Sequence, residues 1–355
     1  MVGATWAPSG NIVVADGLGL VVEAFDSMGR PVARWGRKGE GPGEFRSLMQ
    51  AMACDDEHVT VWDPALARLS VFTEAGAVVA EFPEAEVRAP PSAGPPRRAR
   101  LIGCSAEGVY VTSARALPER FREGVDSVAV QIEIAAPGRD PVVLDGYVEQ
   151  VVMLNGQMGP RPLGTRTLFA VGRDRLYVAR TDLNRIDVFS LDGTRLGSFG
   201  DGTRGRRLTA EDRTRVLDGV RAAARRLYAS YLPDYAPAIA QLLVDDEGRV
   251  WVRAFALDQV EPSRWSIHAP SGEVVGVLDL PAGFEPTAVR AGRVLGVWRD
   301  EFDADHVRVY AVETASGPEL PPLPDGSSVG KRILNSISAL WGGILPALQD
   351  RGPCE

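Results

Sequence analysis

An all-β fold is what this sequence predicts, and three observations predict it. First, residues 10–45, GNIVVADGLGLVVEAFDSMGRPVARWGRKGEGPGEF, read as two strands joined by a loop, a third strand after a Ser-Met-Gly turn, and a glycine-rich exit. Second, the unit recurs without gaps. An offset of 47 carries Val14, Asp16, Phe25, Gly29 and Trp35 onto Val61, Asp63, Phe72, Gly76 and Phe82. An offset of 164 carries Val14, Ala15, Phe25, Gly29, Trp35 and Gly36 onto Val178, Ala179, Phe189, Gly193, Phe199 and Gly200. Third, a period of about 45 holding only strand-like segments is the mark of propeller blades rather than helical solenoids. One small twisted sheet cannot bury both its faces alone, and radial stacking buries them against one another. The expected architecture is a six-bladed β-propeller with a helical insertion between blades 4 and 5.

Taken in order, blade 1 is expected at 2–7, 11–16, 20–26 and 31–36, and blade 2 at 49–54, 58–63, 69–73 and 77–82. These segments hold β-branched and aromatic residues between turn signals. Residues 83–97, rich in proline and acid, read as a loop. Blade 3 is less regular, with strands at 99–104, 108–113, 127–134 and 141–147, a polar connection at 115–124, and a long loop at 149–165. Blade 4 is the clean copy, at 167–171, 175–180, 185–190 and 194–200.

Then the period changes. Residues 209–231 read as a helix capped by Thr209, with Asp212 three residues on. Val216, Val220, Leu227 and Tyr231 share a stripe, while Arg215, Arg221, Arg225 and Arg226 lie largely off it. The insert spans about 203–233 and is expected on one face of the disc. Blade 5 resumes at 238–245, 249–253, 264–269 and 273–280, and blade 6 at 287–290, 293–299 and 306–312. Residues 318–324 hold too many prolines for anything but an edge strand. Propellers commonly close the ring by lending a terminal strand to the last blade. The expectation is therefore that a preceding N-terminal segment would carry that strand, and an export signal with it. The propeller is assigned to residues 1–324. The tail, 325–355, includes KRILNSISALWGGILPALQ, an amphipathic stretch broken by Gly342-Gly343 and Pro346. It reads as a docking or irregular tail, with a membrane-surface helix as the alternative.

Net charge is −8, which argues against generic binding to nucleic acid or acidic membrane. Three cysteines, Cys54, Cys104 and Cys354, make no disulfide framework. Cys54 and Cys104 hold the same place in neighbouring blades and read as two small buried side chains. The start MVGATWAPSG lacks a basic segment and an apolar run, and no stretch is long enough to span a bilayer. Taken literally, that describes a soluble cytoplasmic chain. A monomer is expected.

GRKGEGPGEF at 36–45 is similar to the G-x-x-G-x-G-P-G-x-F signature of NHL-type propellers, and DLNRIDVFSLDGTRLGSFG at 182–200 resembles the body of the same repeat. The likeness covers about residues 2–313. It extends to bacterial six-bladed propellers of the NHL- or TolB-like kind, which carry no single activity. Members are often exported or lipid-anchored, so the resemblance implies a periplasmic, lipid-anchored or extracellular site if the N-terminus is incomplete.

The glycine run 36–43 lacks the Lys-Ser/Thr of a phosphate-binding loop and reads as a blade-to-blade passage. His58 is expected in a hairpin, and His268 and His306 in third strands, so they do not converge on one zinc. That weakens an NHL-type amidating lyase. A lactonase-like central calcium would need Glu, Asp and Asn on channel strands. Asn11, Asn155, Asn184 and Asn335 are the four asparagines, and none sits clearly there. No cofactor is expected, with calcium the one held open.

One constellation stands out. The residue ending the second strand reads, around the ring, Asp16, Asp63, Ser113, Arg180, Arg253 and Arg299. Three guanidiniums at the channel mouth would suit a carboxylate, phosphate or sulfated sugar. The competing reading is local pairing, Arg180 with Asp182 or Asp187, and Arg299 beside Asp300. The insert's arginines, with Arg204, Arg206 and Arg207, read as a solvated face or a partner surface. RNA binding would need a broad basic face with aromatics, which the acidic total disfavours. The expectation is a non-catalytic binding or protein-interaction module that takes a small anionic ligand or another protein. The alternative is a metal-dependent hydrolase or lyase at the central channel.

Overall fold

The computed structural model describes residues 3–48, 50–83, 100–116, 123–136, 139–154, 157–218, 220, 222–257, 261–300, 302 and 304–312. They form six antiparallel sheets in chain order. The first holds β1 (Gly3–Trp6), β2 (Ile12–Asp16), β3 (Val21–Phe25) and β4 (Pro31–Trp35). The second holds β5 (Gln50–Met52), β6 (His58–Asp63), β7 (Arg68–Thr73) and β8 (Val78–Pro83). The third is five-stranded: β9 (Arg100–Cys104), β10 (Tyr110–Ala116), β11 (Gly124–Ala135), β12 (Val142–Leu154) and β13 (Gln157–Pro160). The fourth holds β14 (Thr167–Val171), β15 (Arg175–Arg180), β16 (Ile186–Ser190) and β17 (Arg195–Phe199). Helices α1 (Ala210–Asp218) and α2 (Ala222–Tyr231) follow. The fifth holds β18 (Ile239–Val244), β19 (Val250–Ala254), β20 (Ser263–His268) and β21 (Val274–Leu280). The sixth holds β22 (Phe284–Arg290), β23 (Arg293–Arg299) and β24 (Asp305–Ala311).

Burial explains the strand sequences. Second and third strands lie between neighbouring sheets and are apolar on both faces, as in IVVAD of β2 and RLYVAR of β15. Fourth strands lie at the rim and are mostly exposed, so β4 and β17 carry arginines. The turn between third and fourth strands repeats one device. In four sheets a glycine N–H donates to the carbonyl three residues back, as Gly76 to Thr73 at 2.9 Å. The register shifts beside each of these turns, the pairing of a type I turn with a glycine bulge. Gly76 has φ of +89°, and a Cβ there would lie 2.6 Å from Trp35 Cβ. The turn glycine of one sheet thus seats against the last aromatic of the sheet before it. Gly272 meets Phe199 in the same way.

Each sheet is joined to the next by an apolar cluster. Val13, Trp35, Phe45, Val61 and Phe72 join the first two sheets. Val111, Ile132, Val178 and Phe189 join the third and fourth. Tyr177, Ile186, Leu242 and Val252 join the fourth and fifth, and Trp251, Trp265, Val294 and Tyr310 the fifth and sixth. Trp6, Ile12 and Phe25 pack on Leu295, Val307 and Val309, so the sixth sheet returns to the first. Thr287 Oγ1 donates to Ala4 O at 2.7 Å and Arg290 Nη1 to Ala7 O at 2.7 Å across that seam. Radially stacked antiparallel sheets of this kind are a β-propeller.

Three expectations are corrected. Cys54 and Cys104 are not two separate thiols but a disulfide, with Cα atoms 5.1 Å apart. It joins the second sheet to the third, where the buried apolar cluster among the described residues is Trp62, Leu69 and Leu101. The stretch 149–165 is not a loop throughout, because β12 continues to Leu154 and β13 pairs back on it, Met153 opposite Met158. The single helix over 209–231 is two, with Gly219 in the interval between α1 and α2. His58 opens strand β6, in the hairpin that β6 makes with β5. The capping expectation is met by a reciprocal pair. Thr209 Oγ1 accepts from Asp212 N at 3.1 Å, and Asp212 Oδ2 accepts from Thr209 N at 2.8 Å. Val216, Val220, Leu227 and Tyr231 are half-buried. The sixth sheet has three strands among the described residues. The edge strand expected at 318–324, most of the loop at 83–97, Cys354 and the tail at 325–355 lie outside them. Among the described residues no helix is long and apolar enough to cross a membrane.

Candidate functional site

The strand-end residues are held by different local partners. Asp16 ends β2 and accepts from Leu18 N at 3.0 Å, locking its own turn. Asp63 ends β6 and is buried. Its Oδ2 accepts from Arg46 N at 2.7 Å and Ser47 N at 3.1 Å, and its Oδ1 from Ala65 N at 2.9 Å and Leu66 N at 3.1 Å. That carboxylate ties the passage between two sheets to the β6–β7 turn. Ser113 lies inside β10, which runs on to Ala116, so it is not a strand end. Arg180 makes a two-armed bond to Asp182, at 3.1 and 2.8 Å. Arg299 pairs with Asp305 at 3.1 Å, while Asp300 bonds His306 at 2.8 Å. Arg253 pairs with Glu285 of the next sheet at 2.9 Å and lies over the Trp265 ring, 5.8 Å from its centroid.

Arg253 lines a cavity. The cavity, about 730 Å³, opens between the β12–β13 hairpin, α2, and the first strands of the fourth and fifth sheets. Its volume is in the range of small-molecule pockets. Apolar walls come from Leu154, Met158, Leu168, Tyr228, Ile239 and Phe255. The charged lining consists of Arg161, Arg166 and Arg253, and no Asp or Glu among the described residues lines it.

The three arginines are held differently. Arg161 is a strut. Its Nε donates to Tyr231 O at the C-terminus of α2, at 2.7 Å, and its Nη1 to Gln150 Oε1 at 2.9 Å. Partial burial lowers its pKa from the usual guanidinium value. Arg166 is positioned by its backbone: its N–H donates to Thr181 Oγ1 at 2.9 Å and its carbonyl accepts from Thr181 N at 2.9 Å. Thr181 is buried, and its own carbonyl accepts from Ala238 N at 2.6 Å. One threonine therefore knits the segments around β14, β15 and β18 beneath the cavity. The Arg166 side chain is exposed and makes no hydrogen bond or ion pair to a described residue. The Arg253 side chain is 19% exposed, and its Nε is buried with no partner among the described residues.

A second cavity, about 670 Å³, adjoins α1 and is lined by Arg204, Arg206, Arg215, Glu261 and Arg264. Two of its arginines are answered by acids. Asp212 takes both arms of Arg206, and Glu211 bonds Arg215 at 3.0 Å. The Arg206 guanidinium, with the Thr209 N–H, holds the Asp212 carboxyl well below the usual carboxylate range. Arg204 lies over Tyr235, 5.5 Å from the ring centroid.

The histidines stay apart. His58 bonds Asp55, His268 bonds Ser266 and the Gly272 carbonyl, and His306 bonds Asp300. Burial pushes the His268 pKa down. Among the described residues no three His, Cys, Asp or Glu side chains converge as a metal site. Asn184 bonds Asp201 at 2.9 Å, and Asn155 and Asn335 lie outside the described residues.

Sequence reasoning missed Arg161 and Arg166, because the stretch around them reads as loop. A signal was present. Asn155-Gly156 between VVML and QMGP is a strong hairpin cue.

The fold and site define a β-propeller with a cationic, apolar-walled cavity on one face. No protein-family profile matches the chain, and no curated protein matches it. Solved structures do. The chain is similar to the β-propeller domain of the Trilobed protease from Pyrococcus furiosus, at 12% identity and TM-score 0.40, covering 86% of this chain and 80% of that one. It is similar to a gluconolactonase from Xanthomonas campestris, at 12% identity and TM-score 0.40, covering 83% and 81%. It is also similar to a putative exported protein from Bacteroides fragilis NCTC 9343, at 12% identity and TM-score 0.42, covering 81% and 76%. At such distance no activity transfers to this chain.

Proposed function

We propose that this protein is a six-bladed, NHL-like propeller that works as a non-catalytic binding module, with the helical pair inserted between blades 4 and 5 as one wall of its binding groove. The observation that carries the reading is the cavity beside α2. It is large enough for a small molecule, walled by apolar side chains, and provided with arginines but, among the described residues, no lining carboxylate. In this reading Asp16, Asp63, Arg180 and Arg299 are turn and sheet locks, and Arg253 is the member of the strand-end set that meets ligand. Export fits the disulfide between Cys54 and Cys104, since such bonds persist in oxidising compartments.

The test is a fluorescent apolar probe. Neutral N-phenyl-1-naphthylamine should bind the native protein at one saturable site. Ala240 lines the cavity, and Ala240→Trp should fill it and abolish that site while circular dichroism stays unchanged. Saturable binding that survives in the tryptophan variant would overturn the assignment of the groove.

A further inference from the structure

We infer that the groove between the β12–β13 hairpin and α2 takes small amphipathic organic anions of the carboxylate class, the head group held by Arg166 and Arg253 and the apolar body lying along Leu168, Tyr228 and Phe255. This rests on the binding-module reading above and adds the chemistry of the ligand.

Three observations converge on it. The first is the sign of the lining. The chain carries a net charge of −8, yet the charged residues of this cavity are three arginines and no acid among the described residues. Some charges elsewhere are answered locally, as Arg30 is by Asp26 and Arg195 by Asp187. The second is the unanswered guanidinium. Arg166 has no side-chain partner among the described residues, although Thr181 fixes its backbone at two points. A fixed backbone narrows the volume that the side chain must search to reach an anion in the groove. The third is Arg253. It lines the same cavity, and its Nε–H is buried without an acceptor among the described residues. A buried donor left unpaired is costly, and the guanidinium gains by turning towards a ligand oxygen in the cavity. Glu285 already neutralises part of that guanidinium. The balance therefore favours a singly charged head over a dianion. The apolar walls account for the rest, because they reward a ligand with a hydrophobic body and do nothing for a free inorganic anion.

The experiment is calorimetric titration of the full chain with phenylbutyrate and with the neutral phenylbutyramide. Three proteins are compared: native, Arg166→Gln, and Arg34→Gln. Arg34 is an exposed arginine on β4 paired with Glu23, on a different sheet from those that build the groove, and serves as the charge control. The acid should bind the native protein at least about tenfold tighter than the amide, the scale of one or two charge-assisted hydrogen bonds. That preference should fall towards parity in Arg166→Gln and persist in Arg34→Gln. Added salt should weaken the acid and leave the amide unchanged. Equal binding of acid and amide by the native protein would overturn the anion class and leave the groove standing. Binding of the apolar probe with no binding of either titrant would also overturn it. Failure of the apolar probe as well would fall on the groove reading itself.

Discussion

Replacing Cys54 and Cys104 with serine should loosen the propeller at one seam more than at any other. First strands of neighbouring sheets pack closely around the ring, and they do so least where β5 faces β9, between the second and third sheets. Among the described residues the buried apolar cluster at that seam is Trp62, Leu69 and Leu101, whereas four other seams each bury nine to eleven residues. The disulfide closes a loop with a sequence separation of 50. Chain-entropy reasoning for a loop of that size gives about 4 kcal/mol of stabilisation through the unfolded state. In a large domain each kcal/mol moves Tm by roughly 2–4 °C, so the loss should lower Tm by roughly 10 °C. Scanning calorimetry of the native protein and Cys54→Ser/Cys104→Ser, both without reductant, measures it. Each single serine variant should fall as far as the double. Mass spectrometry of the native protein should find no free thiol at either position. A double variant that melts within about 2 °C of the native protein would refute the argument that this bond staples the seam.

Three further outcomes follow from the same geometry. Asp63→Ala leaves four backbone N–H groups without their buried acceptor, and should cost about 3 kcal/mol or more in urea unfolding. Thr209→Ala removes one half of the reciprocal cap on α1 and should cost about 1 kcal/mol locally, read as faster amide exchange over Ala210–Asp218 with little change in global Tm. Asp212 has a folded pKa held below its unfolded value of 3.8, first by the Arg206 side chain. Its contribution is therefore present above that value and lost as pH falls towards the folded pKa. Exchange protection of α1 should hold at pH about 5 and fade below pH about 4, and Asp212→Asn should abolish that dependence.

Much of the scaffold was legible because the repeat writes the same physics several times. Gly29, Gly76, Gly193 and Gly272 sit at equal places, and each adopts positive φ at a turn that needs it. Phe25, Phe72 and Phe189 recur because each closes a third strand or nearly so and packs against a neighbouring sheet. What could not be read came from relations between units. Cys54 and Cys104 hold equal places in successive sheets, but sequence spacing does not say that equal places at this radius meet. The third sheet defeated the reading for a local reason. Gly159, Pro160 and Pro162 look like loop residues, yet Pro160 sits at the end of an outermost strand, where no ladder donor is needed. Analogy with shorter sheets puts Ser113 at a strand end, and β10 simply runs on to Ala116.

The candidate site was the least legible part, and the reason bears on how such folds acquire function. Where the repeat is kept, several charges are closed within a turn or a single sheet, although Arg253 reaches Glu285 of the next one. Asp26 accepts from Met28 N, Arg30 N and Arg30 Nε, and Asp245 does the same for Glu247, Arg249 and the Arg249 side chain. Arg180 with Asp182 and Arg299 with Asp305 are further instances. A residue type at a repeated position is therefore weak evidence for binding, since the scaffold often supplies its partner. The cavity is built where the repeat departs from itself: the added strand β13, the segment that leads into β14, and the helices before β18. There the arginines are placed by backbone bonds and by a helix end, and among the described residues no acid of the repeat stands opposite Arg166. A charge the scaffold does not answer is the informative one, which is why Arg166 and not Arg180 is the residue to change first.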